Sequence, residues 1–377
     1  MKKNFLSFTV LLGILGCAFL ILPAIYAPFI ANGRPLLVLD AGKITFPFLQ
    51  SFFAPDSNEK IIEIIFNFSA IFLPLSIITY LFAKKKKFVR NIILIITFIA
   101  LLIPFITTKS IIDKKNYRQI AKANPNAITI FAPIKYGPFE IVSSPYSQPS
   151  KEHILGCDEI GRSVISRLIY GARASLAAGI ISTLIAIIIG TTVGLMTGYF
   201  GGKFDLITMR LVEILMCFPS FLLLLILMSM LGDRKFEQSI LIVITVLAIT
   251  GWMGLAFLVR GETLKEKNLP YIESCKTAGI PQYRTCFVHL LPNIINPIII
   301  SFSFGIAGAI LSESSLSFLG FGVQPPTASW GGLLRQAFDN PLDHWHLTTF
   351  PGLTLFIAIM SFNFIGEGLR KALSPRE

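Results

Sequence analysis

Charge is the scarcest ingredient of this 377-residue chain. Only 14% of its residues are Asp, Glu, Lys or Arg, while 53% are hydrophobic. Soluble domains carry about 25% charge, so this balance and a mean hydropathy of +0.70 exclude a water-soluble domain. The length says little about domain number in such a chain. Acidic residues are fewer than basic ones, 21 against 33. The resulting charge of +12 does not point to nucleic acid, because the basic residues are spread through loops beside apolar runs and no aromatic-basic binding module is present. Cysteine is sparse: Cys17, Cys157, Cys217, Cys275 and Cys286 form no CxxC pair, and their odd number argues against a disulfide framework. His153, His289, His344 and His346 do not cluster with them, which leaves no pattern for zinc or haem. A phosphate-binding loop is also missing. The nearest candidate, T-G-Y-F-G-G-K-F at 197–204, has Thr197 where glycine is required and Phe204 where Ser or Thr is required. The chain is therefore expected to bind no nucleotide or other cofactor itself.

What is present in abundance is apolar runs long enough to cross a bilayer, which takes about 20 residues for a core of about 30 Å. They fall at about 5–30, 61–83, 91–107, 174–199, 207–231, 238–259, 293–312 and 348–368. The fold class expected is an all-α polytopic helical bundle of about eight transmembrane helices. The first run follows Met1-Lys2-Lys3, is longer than a signal-peptide core and lacks a clean cleavage site, so it reads as a retained span. Lys84-Lys85-Lys86-Lys87 and Arg90 mark the turn between the second and third spans as cytoplasmic. Alternation then puts 200–206, 260–292 and both termini in the cytoplasm, and 31–59, 108–155, 232–237 and 313–347 outside. Stretches 260–292 and 369–377 carry eight Lys/Arg, whereas 232–237 and 313–347 carry three, Arg234, Lys235 and Arg335. The basic stretch Lys109 to Lys122 fits its external assignment poorly, although long loops obey the charge rule weakly.

Three features stand out against this background. Gly190, Gly194 and Gly198 recur every four residues and put one bare strip on a helix face, where another backbone can approach. Ionisable residues within spans, the mark of an ion or proton pathway, are few. Glu63, Glu213, Glu313 and Glu367 lie near span ends, and Arg210/Glu213 and Glu367/Arg370 have the spacing of helical ion pairs. Finally, a polar island at 260–293 sits between two spans. Within it, Glu273 to Gly279 reads as a short helix with small residues at Ser274, Cys275, Thr277 and Ala278, closed by Gly279 and Pro281. Such a helix can pack into another protein's groove. The competing reading, an interfacial helix on lipid headgroups, calls for a bulky apolar stripe, which Tyr271, Ile272 and Ile280 supply only in part.

These residues resemble a known family. E-S-C-K-T-A-G-I-P followed by H-L-L-P-N is similar to the EAA loop of ABC importer permeases. L-G-C-D-E-I-G-R-S-V-I-S-R-L-I-Y-G-A-R-A-S-L at 155–176, S-E-S-S-L-S-F-L-G-F-G-V-Q-P-P-T-A-S-W-G at 312–331 and I-G-E-G-L-R-K-A-L-S-P-R at 365–376 resemble segments of the C-type subunit of oligopeptide and dipeptide permeases. I-A-N-G-R-P-L-L-V at 30–38 resembles the branch related to microcin uptake. The resemblance implies a permease subunit in a bacterial inner membrane. Its implied partners are a B-type permease subunit, two cytoplasmic ATPase subunits that use ATP, and an extracytoplasmic solute-binding protein delivering peptide. It implies that Glu273, Ser274, Cys275, Lys276, Thr277, Ala278, Gly279 and Ile280 form the helix that docks on the ATPase. Ser274 and Cys275 stand where the family has alanines, Cys157 where it has Thr, and Ser163 where it often has Asp. The family's usual subunit has six spans, so the pair at 61–107 is an insertion. The expected organisation is an N-terminal helix at 1–30, external segments with the inserted hairpin at 31–155, and a permease core at 156–377 with the coupling loop at 260–292. Nickel or another small solute is an alternative cargo. An ion-coupled secondary transporter or a passive membrane anchor is an alternative of a different class.

Overall fold

The computed structural model describes residues 8–40, 43–55, 57–84, 86–108, 117–118, 128–232 and 239–373. Met1-Lys2-Lys3, Lys85, most of the basic stretch between Lys109 and Lys122, Arg234, Lys235 and Arg376 lie outside those residues. Seven helices among the described residues are long and apolar enough to cross a membrane. They are α1 (Phe8–Ile25), α2 (Lys60–Phe82), α3 (Lys87–Thr107), α4 (Val164–Phe200), α7 (Ser239–Glu266), α9 (Ile295–Leu319) and α10 (Trp345–Leu373). The remaining numbers belong to α5 (Gly202–Met216), α6 (Ser220–Gly232) and the short α8 (Pro270–Thr277).

The apolar run expected as a span at 207–231 is a bent pair of helices, which brings the total to eight if the pair crosses as one. Its residues form α5 and α6, which meet at a bend of 83°. Pro219 supplies the cause: it has no N–H to give to the preceding turn, and its ring clashes with the carbonyl four residues back. Its own carbonyl starts the next helix by accepting from Leu223 N at 3.0 Å. The apolar run continues through the bend, so hydropathy alone carries no trace of it.

The contacts divide the chain into two units, with boundaries inside α1, α4 and α10. The first comprises residues 1–18, 175–322 and 353–377. Here α4, α7 and α9 carry most of the core. A carboxylate is buried in it: Glu313 is fully buried and accepts from Ser175 Oγ at 2.8 Å and Ser317 Oγ at 2.7 Å. Arg210 and Glu213 pair at 2.6 Å, and Glu367 pairs with Arg370 at 2.9 Å, as their spacing predicts.

The second unit comprises residues 19–174 and 323–352. It holds the α2–α3 hairpin and a small sheet with strand order β2-β1-β3. Strand β1 (Leu37–Asp40) runs antiparallel to β2 (Lys43–Thr45), with Val38 opposite Thr45. It also runs antiparallel to β3 (Ile128–Ile130), with Leu37 opposite Ile130. Phe29, Phe48, Phe52 and Phe105 pack edge to face or tilted at one end of the hairpin. The hairpin is tied to α4 by a buried cation. Arg173 is 2% exposed; its Nη1 meets Glu63 Oε2 at 2.7 Å, and its Nε and Nη2 donate to the carbonyls of Ala24 and Ile25. Those two carbonyls close α1, where helical carbonyls lack partners of their own.

The segment at 155–176 is organised by a second buried charge. Asp158 is fully buried and binds Arg162 Nε at 2.7 Å and Arg167 Nε at 3.1 Å. Arg167 also reaches the carbonyls of Pro138 and Pro326. Trp330, fully buried, donates to the Leu168 carbonyl at 3.2 Å, and Ser329 caps the turn that begins at Trp330 by accepting from Gly332 N. The turn-forming residues at 323–331 therefore close onto the start of α4.

Breaking one partner of a buried pair leaves an uncompensated charge. Arg173→Ala is expected to destabilise the protein by about 3–5 kcal/mol. Thermal unfolding in lipid nanodiscs would report it as a lowered midpoint. An Arg173→Ala protein that melts like the parent would contradict this account of the hairpin's attachment.

Candidate functional site

The polar island between α7 and α9 is the candidate site. Its helix α8 spans Pro270–Thr277 and so begins three residues before the predicted start at Glu273. Pro270 occupies the first turn, where its missing N–H costs nothing and its fixed φ suits the helix. The stop is at Gly279, with φ +68°. Gly279 N donates to Lys276 O and Ile280 N donates to Cys275 O, both at 3.0 Å. This pair of bonds is the Schellman closure, which needs a left-handed residue between them. A side chain at Gly279 would meet nothing within 4 Å. The glycine is therefore required by backbone conformation and not by crowding.

The small-residue face divides in two. Ile272 is buried in a cluster with Leu195 and Tyr199 of α4, Val259 of α7, and Cys286, Leu290 and Ile294 beyond the helix, and Cys275 is buried as well. Glu273, Ser274, Lys276, Thr277, Ala278 and Gly279 are exposed, and Ile280 is half-buried. Cys275 therefore faces the protein's own interior. Its small size serves the seat of the helix. Burial pushes the neighbouring Cys286 thiol up to about 11, which keeps it protonated and poorly nucleophilic.

Polar links fasten this seat to the bundle. Lys267 Nζ reaches the carbonyls of Gly198 at 3.2 Å and Tyr199 at 3.0 Å, at the end of α4. A cation suits those carbonyls because they lack helical partners and lie at the negative end of the helix dipole. Arg260, near the end of α7, forms a two-pronged pair with Asp205 of α5 at 2.5 and 2.7 Å. Tyr271 donates to Glu266 at 2.8 Å, and burial first, then that bond, raises its hydroxyl pKa. Sequence reading passed over Asp205, Arg260, Glu266 and Lys267. Their only local sign was charge crowded at helix ends. It also passed over Tyr283, Phe287 and Val288, which are exposed beside α8. The turn containing the last two, Thr285–Leu290, is π-helical.

Gly190, Gly194 and Gly198 lie along α4 where it meets α7. An added Cβ would come within 2.7 Å of Trp252 O at Gly190, 2.5 Å of Ala256 O at Gly194, and 2.7 Å of Thr263 Cβ at Gly198. The first two obstacles are backbone, which cannot rotate away. The T-G-Y-F-G-G-K-F segment turns from α4 into α5 through Gly201 and Gly202, both with positive φ.

The second half of the chain, residues 190–377, matches the family described as binding-protein-dependent transport system inner membrane component. The chain is 41% identical over 228 residues to the glutathione transport system permease protein GsiD of Pectobacterium atrosepticum, covering 60% of this chain and 74% of that protein. It is 39% identical over 229 residues to the dipeptide transport system permease protein DppC of Bacillus subtilis, with 60% and 70% covered. With the oligopeptide transport system permease protein OppC of Haemophilus influenzae it shares 38% over 226 residues, with 60% and 71% covered. The chain belongs to this permease family. The all-α membrane fold and its spanning helices accord with that membership. In each relative the matched length equals about three-fifths of this chain.

Because α4 and α7 touch through backbone at the glycines, Gly194→Val is expected to force them apart at a cost of about 1–3 kcal/mol. Unfolding of the purified permease would register the loss. Unchanged stability would contradict the backbone contact.

Proposed function

We propose that this permease carries peptides inward as one half of a translocation path. A second permease subunit supplies the other half, two ATPase subunits hydrolyse ATP, and a solute-binding protein delivers cargo from outside. In this reading both termini and α8 face the cytoplasm, and the external segments face the binding protein. Support for peptide cargo comes from the relatives, whose names specify dipeptide, oligopeptide or glutathione transport. No feature of the chain favours nickel or ion-coupled transport over it.

The observation that carries the reading is the two-sided character of α8. One face is embedded among Leu195, Val259 and Leu290, while Glu273, Ser274, Lys276 and Thr277 face outward. A motor gripping the outward face would move α8 together with the ends of α4 and α7, since Lys267 and the buried cluster join them. The ATPase would shift the permease between its states only by binding the two lever positions with different affinity. Glu273 sits in the first turn of α8, where a carboxylate complements the helix dipole.

Glu273→Lys reverses the charge on the gripped face, and Gly279→Asp strains the closing turn. Each is expected to reduce ATP-dependent peptide uptake by roughly 30-fold or more, the scale of losing a docking hot spot. Membrane insertion should be unaffected, as judged by the amount of permease recovered in membranes. Uptake at the parental rate by either variant would overturn the coupling role.

A further inference from the structure

The I-A-N-G-R segment at 30–34 has no part in α8 or its seat, yet its polar side chains converge on a cavity of about 410 Å³ within the unit of residues 19–174 and 323–352. Helix α2 contributes Glu63 and Asn67, which stand one turn apart on the same helix face. Asn32, Arg34 and Glu140 also line the space. The size falls in the range of small-molecule sites.

Asn67 is the informative residue. It is 1% exposed, and its Nδ2 donates to the Phe52 carbonyl at 2.7 Å. That bond fixes the orientation of the amide. Its Oδ1 is buried and has no hydrogen-bond partner, an arrangement that native proteins avoid unless something else supplies the donor. The two carboxylates beside it are held from behind. Glu63 Oε2 is anchored by Arg173 at 2.7 Å, and Glu140 Oε2 by Arg118 at 3.1 Å and by Gly137 N at 3.2 Å. Each carboxylate offers about four acceptor sites, so both retain capacity for a further donor. Glu140 reaches its position because Gly33 has no side chain; a Cβ there would collide with the carboxylate. The loop is shaped by Asn32, whose Oδ1 accepts from Arg34 N at 2.9 Å.

We propose that this cavity is a subsite for the amino end of a short peptide. An ammonium group has three donors and no acceptor, which matches the acceptors of Asn67, Glu63 and Glu140. Arg34 in the same lining suits the carboxylate of a zwitterion. The inference rests on the peptide-import reading and adds to it a place where cargo is recognised by its free amine. The inserted helix α2 supplies two of the three acceptors, which gives the insertion a role in substrate selection.

The test uses the assembled transporter in nanodiscs of phosphatidylglycerol, a lipid without an amine, and no binding protein. Calorimetry would compare Ala-Ala with N-acetyl-Ala-Ala. Acetylation is expected to weaken binding by roughly tenfold or more, the usual consequence of losing a charged hydrogen bond. Asn67→Leu should weaken Ala-Ala binding similarly and leave N-acetyl-Ala-Ala unaffected. Equal affinity for the two ligands, or no binding of Ala-Ala, would overturn the subsite. The comparison of ligands uses the unaltered chain and so stands even if Asn67→Leu folds poorly. ATP-dependent Ala-Ala uptake with the binding protein present separates the two readings. Uptake without cavity binding refutes the subsite alone, whereas absence of uptake refutes the peptide cargo as well.

Discussion

The close approach of α4 and α7 is the constraint on which the rest of the permease depends. Lipid chains are as apolar as leucine, so helices in a bilayer gain little from hiding oily surface against each other. They must gain from contact distance, and Gly190, Gly194 and Gly198 set that distance. The same approach brings Lys267 to the open carbonyls at the end of α4. It also brings Leu195 and Tyr199 of α4 against Val259 of α7, making the floor on which α8 rests. A helix of only eight residues has little stability of its own. Its persistence as a defined knob comes from that floor.

Buried charge gives the second level of organisation. Three carboxylates, Glu63, Asp158 and Glu313, lie in or near apolar surroundings, and each is met by donors placed for it. Two of them use guanidinium partners and one uses hydroxyls. A carboxyl group away from water is tolerated only when its hydrogen-bonding partners are in place, so these clusters act as registration points. Asp158 sets the fold of the 155–176 segment, and Glu63 sets the position of the hairpin within its unit.

Much of this was legible in the sequence because it is local. Long apolar runs, glycines four apart and a Gly-Ile-Pro stop each declare themselves within one or two helical turns. The ion pairs Arg210/Glu213 and Glu367/Arg370 were readable for the same reason. What escaped was non-local. Strands of three and four residues have too short an alternation to stand out, and β1 finds β3 only across the intervening hairpin. Arg173 and Glu63 meet across 110 positions. The division of α8 into a seated and an open face depended on what lies beneath it, and thus Cys275 seemed to belong with the open side. The bend at Pro219 was present in the sequence, but the apolar run around it concealed the break.

The attachment of Arg173 has an implication for how this protein could have gained or could lose its hairpin. Excising residues 60–107 would remove the counterion of a cation whose remaining contacts are the two carbonyls at the end of α1 and the rings of Phe66 and Tyr170, and Phe66 would go with the excised segment. A shortened permease would thus carry a stranded guanidinium near the start of α4. Restoring a viable protein would call for a compensating change elsewhere, either a new acid or a neutral replacement of the arginine. The hairpin and the helix it is tied to therefore depend on each other, and neither can be traded away alone.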